Sequence, residues 1–267
     1  MIKMIASDLD GTLLLNGAQK LPEEIFDRIR DLKKLGIEFV AASGRQFPNM
    51  YRMFKESADD INYICENGAI AIYEGKVLYE DEFDKDLLME IVKTIWDRDQ
   101  AEFTCSHKDY HYLMPKTKEF ENHMLHVVKN DCKIVNSLDE ITEPCVKAAV
   151  YEPGGNTEEG IEFWRSKFGD RCVVVTSGNQ WMDFIPFGTN KAKGVKKMQE
   201  VLGVKPEECI VFGDEYNDIE MLKSVKYSFA MSHSKQGVKS AAAYETPSVL
   251  DTLQKLIDAK GDVEAII

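Results

Sequence analysis

The sequence predicts an α/β fold: a doubly wound, mostly parallel, Rossmann-like sheet carrying an inserted α+β domain. Three observations predict it. Short apolar runs alternate with helical spacing over the first third, the texture changes over residues 83–185, and strand-helix alternation returns over 186–267. The expected domains are a core made of 1–82 and 186–267, and a second domain, 83–185, set into it.

Met1 to Ala6 is a short apolar strand running into Asp8-Leu9-Asp10-Gly11-Thr12. After Pro22, Ile25, Ile29 and Leu32 recur at helical spacing, and Gly36 stops that helix. Ile37 to Ala42 reads as a second buried strand, broken at Ser43-Gly44-Arg45; Tyr63 to Cys65 follows, then a hairpin about Glu74-Gly75. The inserted part carries amphipathic helices near 84–99, 117–128 and 157–168, with strand-like pieces at Val146 to Tyr151 and Cys172 to Thr176. A helix then opens at Lys191. Cys209 to Phe212 is a continuous apolar strand leading into Gly213-Asp214-Glu215-Tyr216-Asn217-Asp218, and helices close the chain beyond Pro247.

Composition narrows the function. With 44% hydrophobic, 10% aromatic and 30% charged residues, the chain is an ordered globular protein. Its net charge of -13 leaves no basic excess to displace the counterions of a nucleic acid. No uncharged run approaches the ~20 residues of a spanning helix, so no membrane partner is expected. The first apolar stretch is interrupted by charge too early for a signal peptide. Cys65, Cys105, Cys132, Cys145, Cys172 and Cys209 are widely spaced and form no Cys-x-x-Cys pair, the pattern of reduced thiols in a cytoplasmic protein. An anionic metabolite stays compatible with this charge, since a metal ion and a few local donors can invert the field of one pocket, and the expected state is a monomer or weak homodimer.

Three polar clusters, Asp8 to Thr12, Ser43 to Arg45 and Gly213 to Asp218, each follow an apolar strand directly. In an open parallel sheet such loops share one edge, where ligands bind. Three or four carboxylates, one hydroxyl and Lys191 should therefore converge. Such an acid cluster repels itself unless a hard cation sits within it, and Mg²⁺ with a phosphate group is the natural occupant.

These motifs, in this order, resemble the haloacid dehalogenase superfamily, and within it the Cof-like sugar-phosphate phosphatases with a large α+β cap between the second and third motifs. Asp8-Leu9-Asp10-Gly11-Thr12 is similar to motif one, Ser43 in Ala41-Ala42-Ser43-Gly44-Arg45 to motif two, Lys191 in Gly188-Thr189-Asn190-Lys191 to motif three, and Gly213-Asp214 through Asn217-Asp218-Ile219-Glu220-Met221-Leu222 to motif four. Glu66-Asn67-Gly68-Ala69 resembles a further Cof-like signature. The resemblance implies a Mg²⁺-dependent phosphatase that hydrolyses a small phosphate monoester through an aspartyl-phosphate. Asp8 would be the nucleophile and Asp10 the general acid and base. Mg²⁺ would be held by Asp8, the Asp10 carbonyl and Asp214. Lys191 and Ser43 would bind phosphoryl oxygens, with Leu9, Gly11, Thr12, Gly44, Arg45, Asn67 and Asn217 also placed around phosphate or substrate. Asp218 would orient Lys191 or support the metal.

The chain departs from the family pattern at Glu215 and Ala192, where glycine is common, and at His233, where asparagine is usual. A phosphomutase using the same aspartyl-phosphate and a non-catalytic metabolite-binding regulator are the competing functions. His107, His111, His123, His126, Cys105 and Cys132 raise a zinc alternative, though without a compact four-ligand pattern. The cap is expected to set specificity, with His107, His111, Lys116 and Asn179-Gln180-Trp181 as candidates.

Overall fold

The computed structural model describes residues 1–154, 157–176 and 180–267. The chain divides into two compact units: unit 1 is Met1–Ser43, Met50–Tyr79 and Asn190–Ile267, and unit 2 is Gly44–Asn49 and Glu80–Thr189. Six residues, 44–49, thus leave unit 1 between two of its own elements. Sequence periodicity carries no sign of that excursion.

The strands in chain order are β1 (Met4–Ser7), β2 (Glu38–Ala42), β3 (Asn62–Cys65), β4 (Ile70–Tyr73) and β5 (Lys76–Glu80), then β6 (Glu102–Ser106), β7 (His111–Leu113), β8 (Cys132–Ile134), β9 (Lys147–Tyr151), β10 (Val173–Thr176) and β11 (Trp181–Ile185), and finally β12 (Cys209–Gly213), β13 (Tyr227–Met231) and β14 (Tyr244–Thr246). In unit 1 they form one sheet in the order β14-β13-β12-β1-β2-β3-β4-β5. The pairings from β14 through to β3 are parallel, and β4 turns back antiparallel on β3. Met4 faces Cys209 on one side and Glu38 on the other, so β1 lies inside the sheet. Burial on both faces explains why β1 and β12 read as unbroken apolar runs. The helix Lys191–Leu202 covers one face, with Val195 and Met198 packed among Met4, Ala6, Val40, Ile64 and Val211. The hairpin expected at Glu74-Gly75 joins β4 to β5, both residues having positive φ.

Unit 2 holds a second sheet, ordered β10-β11-β9-β6-β7-β8 and antiparallel except for the β7–β8 pair. Its helices Lys85–Trp96 and Thr157–Phe168 pack Leu88, Ile91, Ile95, Trp164 and Phe168 against Phe103, Cys105, Val150, Met182 and Phe184 on one sheet face. Residues of alternate parity point to the other face, where Ser106, Lys147 and Asp183 are polar yet buried. No helix among the described residues is long and apolar enough to cross a membrane.

Candidate active site

Strand order outward from β1 runs in two directions, through β2 on one side and β12 on the other. At such a switch point the loops leaving the carboxyl ends of the strands part and open a crevice. Asp8 follows β1, Ser43 follows β2, Glu66 follows β3 and Asp214 follows β12. Residues distant in sequence therefore meet at one edge because the sheet is parallel there.

Lys191 opens its helix, and Asn190 caps it by accepting the Lys193 N–H at 2.9 Å. The buried Lys191 Nζ donates to Asp8 Oδ1 and to Asp218 Oδ1, each at 2.6 Å. Burial by itself would lower the pKa of this ammonium, but Asp218 and Asp8 outweigh it and hold the pKa above the ordinary lysine value. Burial pushes the Asp8 carboxyl well above the usual range, against Lys191, and the charges of Asp218, Asp214 and Asp10 push the same way. Asp214 is raised by burial and by Asp218, opposed by the hydrogen bond it accepts from Thr12 Oγ1 at 3.0 Å.

One carboxylate oxygen from each of Asp8, Asp214 and Asp218 lies within 4.8 Å of the others. Among the described residues this is the one group of three acidic, histidine or cysteine side chains with a cation-sized spacing. Asp218 is already engaged at both oxygens: Oδ1 takes Lys191, and Oδ2 accepts the N–H groups of Asp214 at 3.0 Å and Glu215 at 3.1 Å. Asp8 and Asp214 are the better ligands. All-oxygen donors, an excess of negative charge over Lys191 and raised carboxyl pKa values fit a hard divalent cation such as Mg²⁺.

The remaining predicted residues fall as follows. Thr12 is buried with its hydroxyl on Asp214, and Gly11 and Thr12 give their N–H groups to the carbonyls of Leu14 and Leu9. The two N–H groups, expected at phosphate, are engaged within their own loop and the hydroxyl is engaged on the loop after β12. Gly11 has φ +84°, and a Cβ there would run into the Asp214 carboxylate. Asp10 is exposed at the turn. Asn67 accepts a hydrogen bond from Asn217 Nδ2 at 3.1 Å, in a loop where Glu66, Asn67 and Gly68 all have positive φ. A Cβ at Gly68 would collide with the Asn190 carbonyl, so this turn packs against the start of the Lys191 helix. Ser43 is buried, its N–H on Ile64 O at 2.9 Å and its carbonyl accepting from Asn67 N at 3.1 Å. Gly44 and Arg45 belong to unit 2.

Glu215 stands at φ -121°, a conformation that needs no glycine. His233 Nε2 lies 3.8 Å from Asp214 Oδ2, a neighbour of the acid cluster that its sequence position alone did not assign. In unit 2, His111 Nε2 meets Ser106 Oγ at 3.1 Å and His123 stacks on Tyr151. Lys116 reaches the Arg98 carbonyl, Gln180 accepts from Tyr151 and Trp181 packs with Phe120 and Tyr151. Asn179 lies outside the described residues.

The description of the haloacid dehalogenase-like hydrolases matches residues 5–252. The phosphatase YbjI of Escherichia coli (strain K12), which acts on 5-amino-6-(5-phospho-D-ribitylamino)uracil, is 30% identical over 261 residues, 96% of each chain. The crystal structure of SMU.1108c from Streptococcus mutans UA159 superposes with a TM-score of 0.85 at 27% identity, covering 97% of this chain and 100% of that one. The subclass IIB sugar phosphatase BT4131 shares the fold, with a TM-score of 0.80 at 21% identity over 99% and 100% of the two chains. Motif order, the β1/β12 acid cluster and these likenesses together make the chain a member of the haloacid dehalogenase-like hydrolases, in their Cof-like phosphatase branch.

Proposed function

We propose that this phosphatase hydrolyses a small phosphorylated metabolite through a phosphoryl group carried transiently on Asp8, with Mg²⁺ as its metal. The observation that carries this reading is the 2.6 Å placement of the Lys191 ammonium on both Asp8 and Asp218, with Asp214 beside them. One Asp8 oxygen attacks phosphorus as the ester P–O bond breaks, and Asp10 gives its proton to the departing oxygen. Water then attacks the acyl phosphate while Asp10 takes a proton from it, releasing inorganic phosphate and restoring the Asp8 carboxylate and the protonated Asp10. Lys191 and Ser43 bind phosphoryl oxygens that gain charge at the transition state. Asp8 and Asp214, with the Asp10 carbonyl, would hold the metal, which offsets the repulsion between carboxylate and phosphoryl group. The YbjI relative supports a phosphorylated metabolite of modest size as substrate, and six free cysteines fit a reducing cytoplasm.

Phosphate release from an aryl phosphate and from a panel of sugar and nucleotide phosphates tests the reading. Wild type should turn over with Mg²⁺ and stop in excess chelator, and Asp8→Asn should be inactive on every substrate. Turnover by Asp8→Asn comparable to wild type would rule the mechanism out. Asp10→Asn should lose more on a sugar phosphate than on the activated aryl ester, whose leaving group needs no proton; equal losses would remove Asp10 from the acid role.

A further inference from the structure

Two loops of unit 1 bring a nitrogen donor to the acid cluster. β13 lies beside β12 with Ala230 opposite Gly213, so the chain after Met231 leaves the sheet at the same edge as Asp214. The Ser234 N–H on the Met231 carbonyl at 2.9 Å closes a tight turn there, and the Ser232 N–H on the Thr246 carbonyl at 2.8 Å ties that turn to β14. His233 stands within the turn, its Nε2 3.8 Å from Asp214 Oδ2. The other carboxylate oxygen, Oδ1, accepts from the Thr12 hydroxyl at 3.0 Å, so Asp214 is held with Oδ2 toward the imidazole.

At 3.8 Å the two atoms are too far apart for a hydrogen bond. As an ion pair they would add little, because the histidine side chain is 53% exposed. The same distance suits two donors that share one cation. With metal–ligand bonds of about 2.0–2.2 Å, neighbouring ligands stand ~3 Å apart and opposite ones ~4 Å. The imidazole lies outside the group formed by Asp8, Asp214 and Asp218, so its nitrogen enters from the Asp214 side alone. The chemistry of the donor then says which ions gain. Mg²⁺ takes oxygen ligands and keeps its waters, whereas Mn²⁺, Co²⁺ and Ni²⁺ accept imidazole with strength that rises along the series.

We infer that His233 is the residue that selects the metal: its Nε2 joins Asp214 on the bound divalent cation and raises the affinity of the site for transition ions above what the carboxylates alone provide. The inference rests on the metal assignment of the reading above and extends it from Mg²⁺ to a choice among divalent ions.

The test uses the full chain without a histidine tag. Mg²⁺, Mn²⁺, Co²⁺ and Ni²⁺ are titrated calorimetrically, at one pH, into wild type, His233→Asn and His233→Gln. Asp214→Ala supplies the background that the remaining histidines contribute. The expected result is a graded loss in both His233 variants: Ni²⁺ affinity falls about 10- to 100-fold, Co²⁺ and Mn²⁺ progressively less, and Mg²⁺ not at all. Pulsed electron paramagnetic resonance of the Mn²⁺-loaded protein should show coupling to an imidazole nitrogen in wild type and lose it in both variants. Absence of that coupling from wild type overturns the inference. An equal loss for all four ions overturns it too, since that is the mark of a residue that only steadies Asp214. So does tighter binding of every ion by the variants, the result of removing a positive charge from beside the site. A wild-type protein that binds no ion beyond the Asp214→Ala background overturns the metal assignment and the inference together. Graded binding in a protein that releases phosphate from no ester overturns the phosphatase reading alone and leaves His233 its role.

Discussion

At Gly11 the backbone runs at φ +84° and the missing Cβ leaves room for the Asp214 carboxylate. Gly11→Ala should therefore displace Asp214 as well as strain the turn. We expect a loss of about 1–3 kcal/mol in urea unfolding together with weaker activation by Mg²⁺. A variant as stable as wild type and activated at the same Mg²⁺ concentration would contradict the close approach. Asp218 is fully buried and joins Lys191 to two backbone N–H groups, so Asp218→Leu should cost about 3–5 kcal/mol by stranding the ammonium and both amides. Unfolding measurements that show less than ~1 kcal/mol would remove it from that role. The thiols belong to the same scale. Burial pushes Cys65 and Cys105 well up, Cys132 to about 12 with help from Asp131, and Cys172 and Cys209 to about 11. The thiolate is the reactive form, so a thiol reagent near neutral pH should label the native protein slowly and all six cysteines after denaturation. Rapid native labelling of several cysteines would be inconsistent with this burial.

Among the elements, the helix that delivers Lys191 depends on its cap. Asn190→Ala removes the acceptor for the Lys193 N–H and should cost about 1 kcal/mol. Because Lys191 is the first helical residue, the same change should lower kcat more than a distant surface change of equal stability cost; equal effects would show that cap and ammonium are uncoupled. This helix, β1, β12 and the Asp-rich loops were legible in the sequence, since buried parallel strands leave unbroken apolar runs and polar loops end them abruptly. The hairpin at Glu74-Gly75 was legible from its turn residues. Other features left no periodic mark. The excursion of 44–49 is built from Gln46, Asn49 and Lys147 side chains bonding to backbone groups, and β6 and β7 mix polar residues such as Thr104, Ser106 and His111 into buried positions. The engagement of the Gly11 and Thr12 N–H groups within their own loop, and of the Thr12 hydroxyl on Asp214, also escapes any motif, because a motif names a residue and not its partner.

For the whole molecule, the decisive fact is where the two units take their residues from. Unit 2 is almost a single stretch, Glu80–Thr189, whereas unit 1 closes only when β12 meets β1, Met4 against Cys209. Long loops must be closed before such distant pairs return any stabilisation, so unit 2 should form first on refolding. Pulsed hydrogen exchange should find amides of β6, β9 and β11 protected before those of β1 and β12, and simultaneous protection would refute the order. The interior position of β1 then has a consequence during translation. At ~5–20 residues per second, the segment carrying Asp8 leaves the ribosome roughly 10–40 s before β12 is made, and for that interval an apolar strand built for the middle of a sheet can pair with β2 on one side but has its other edge open.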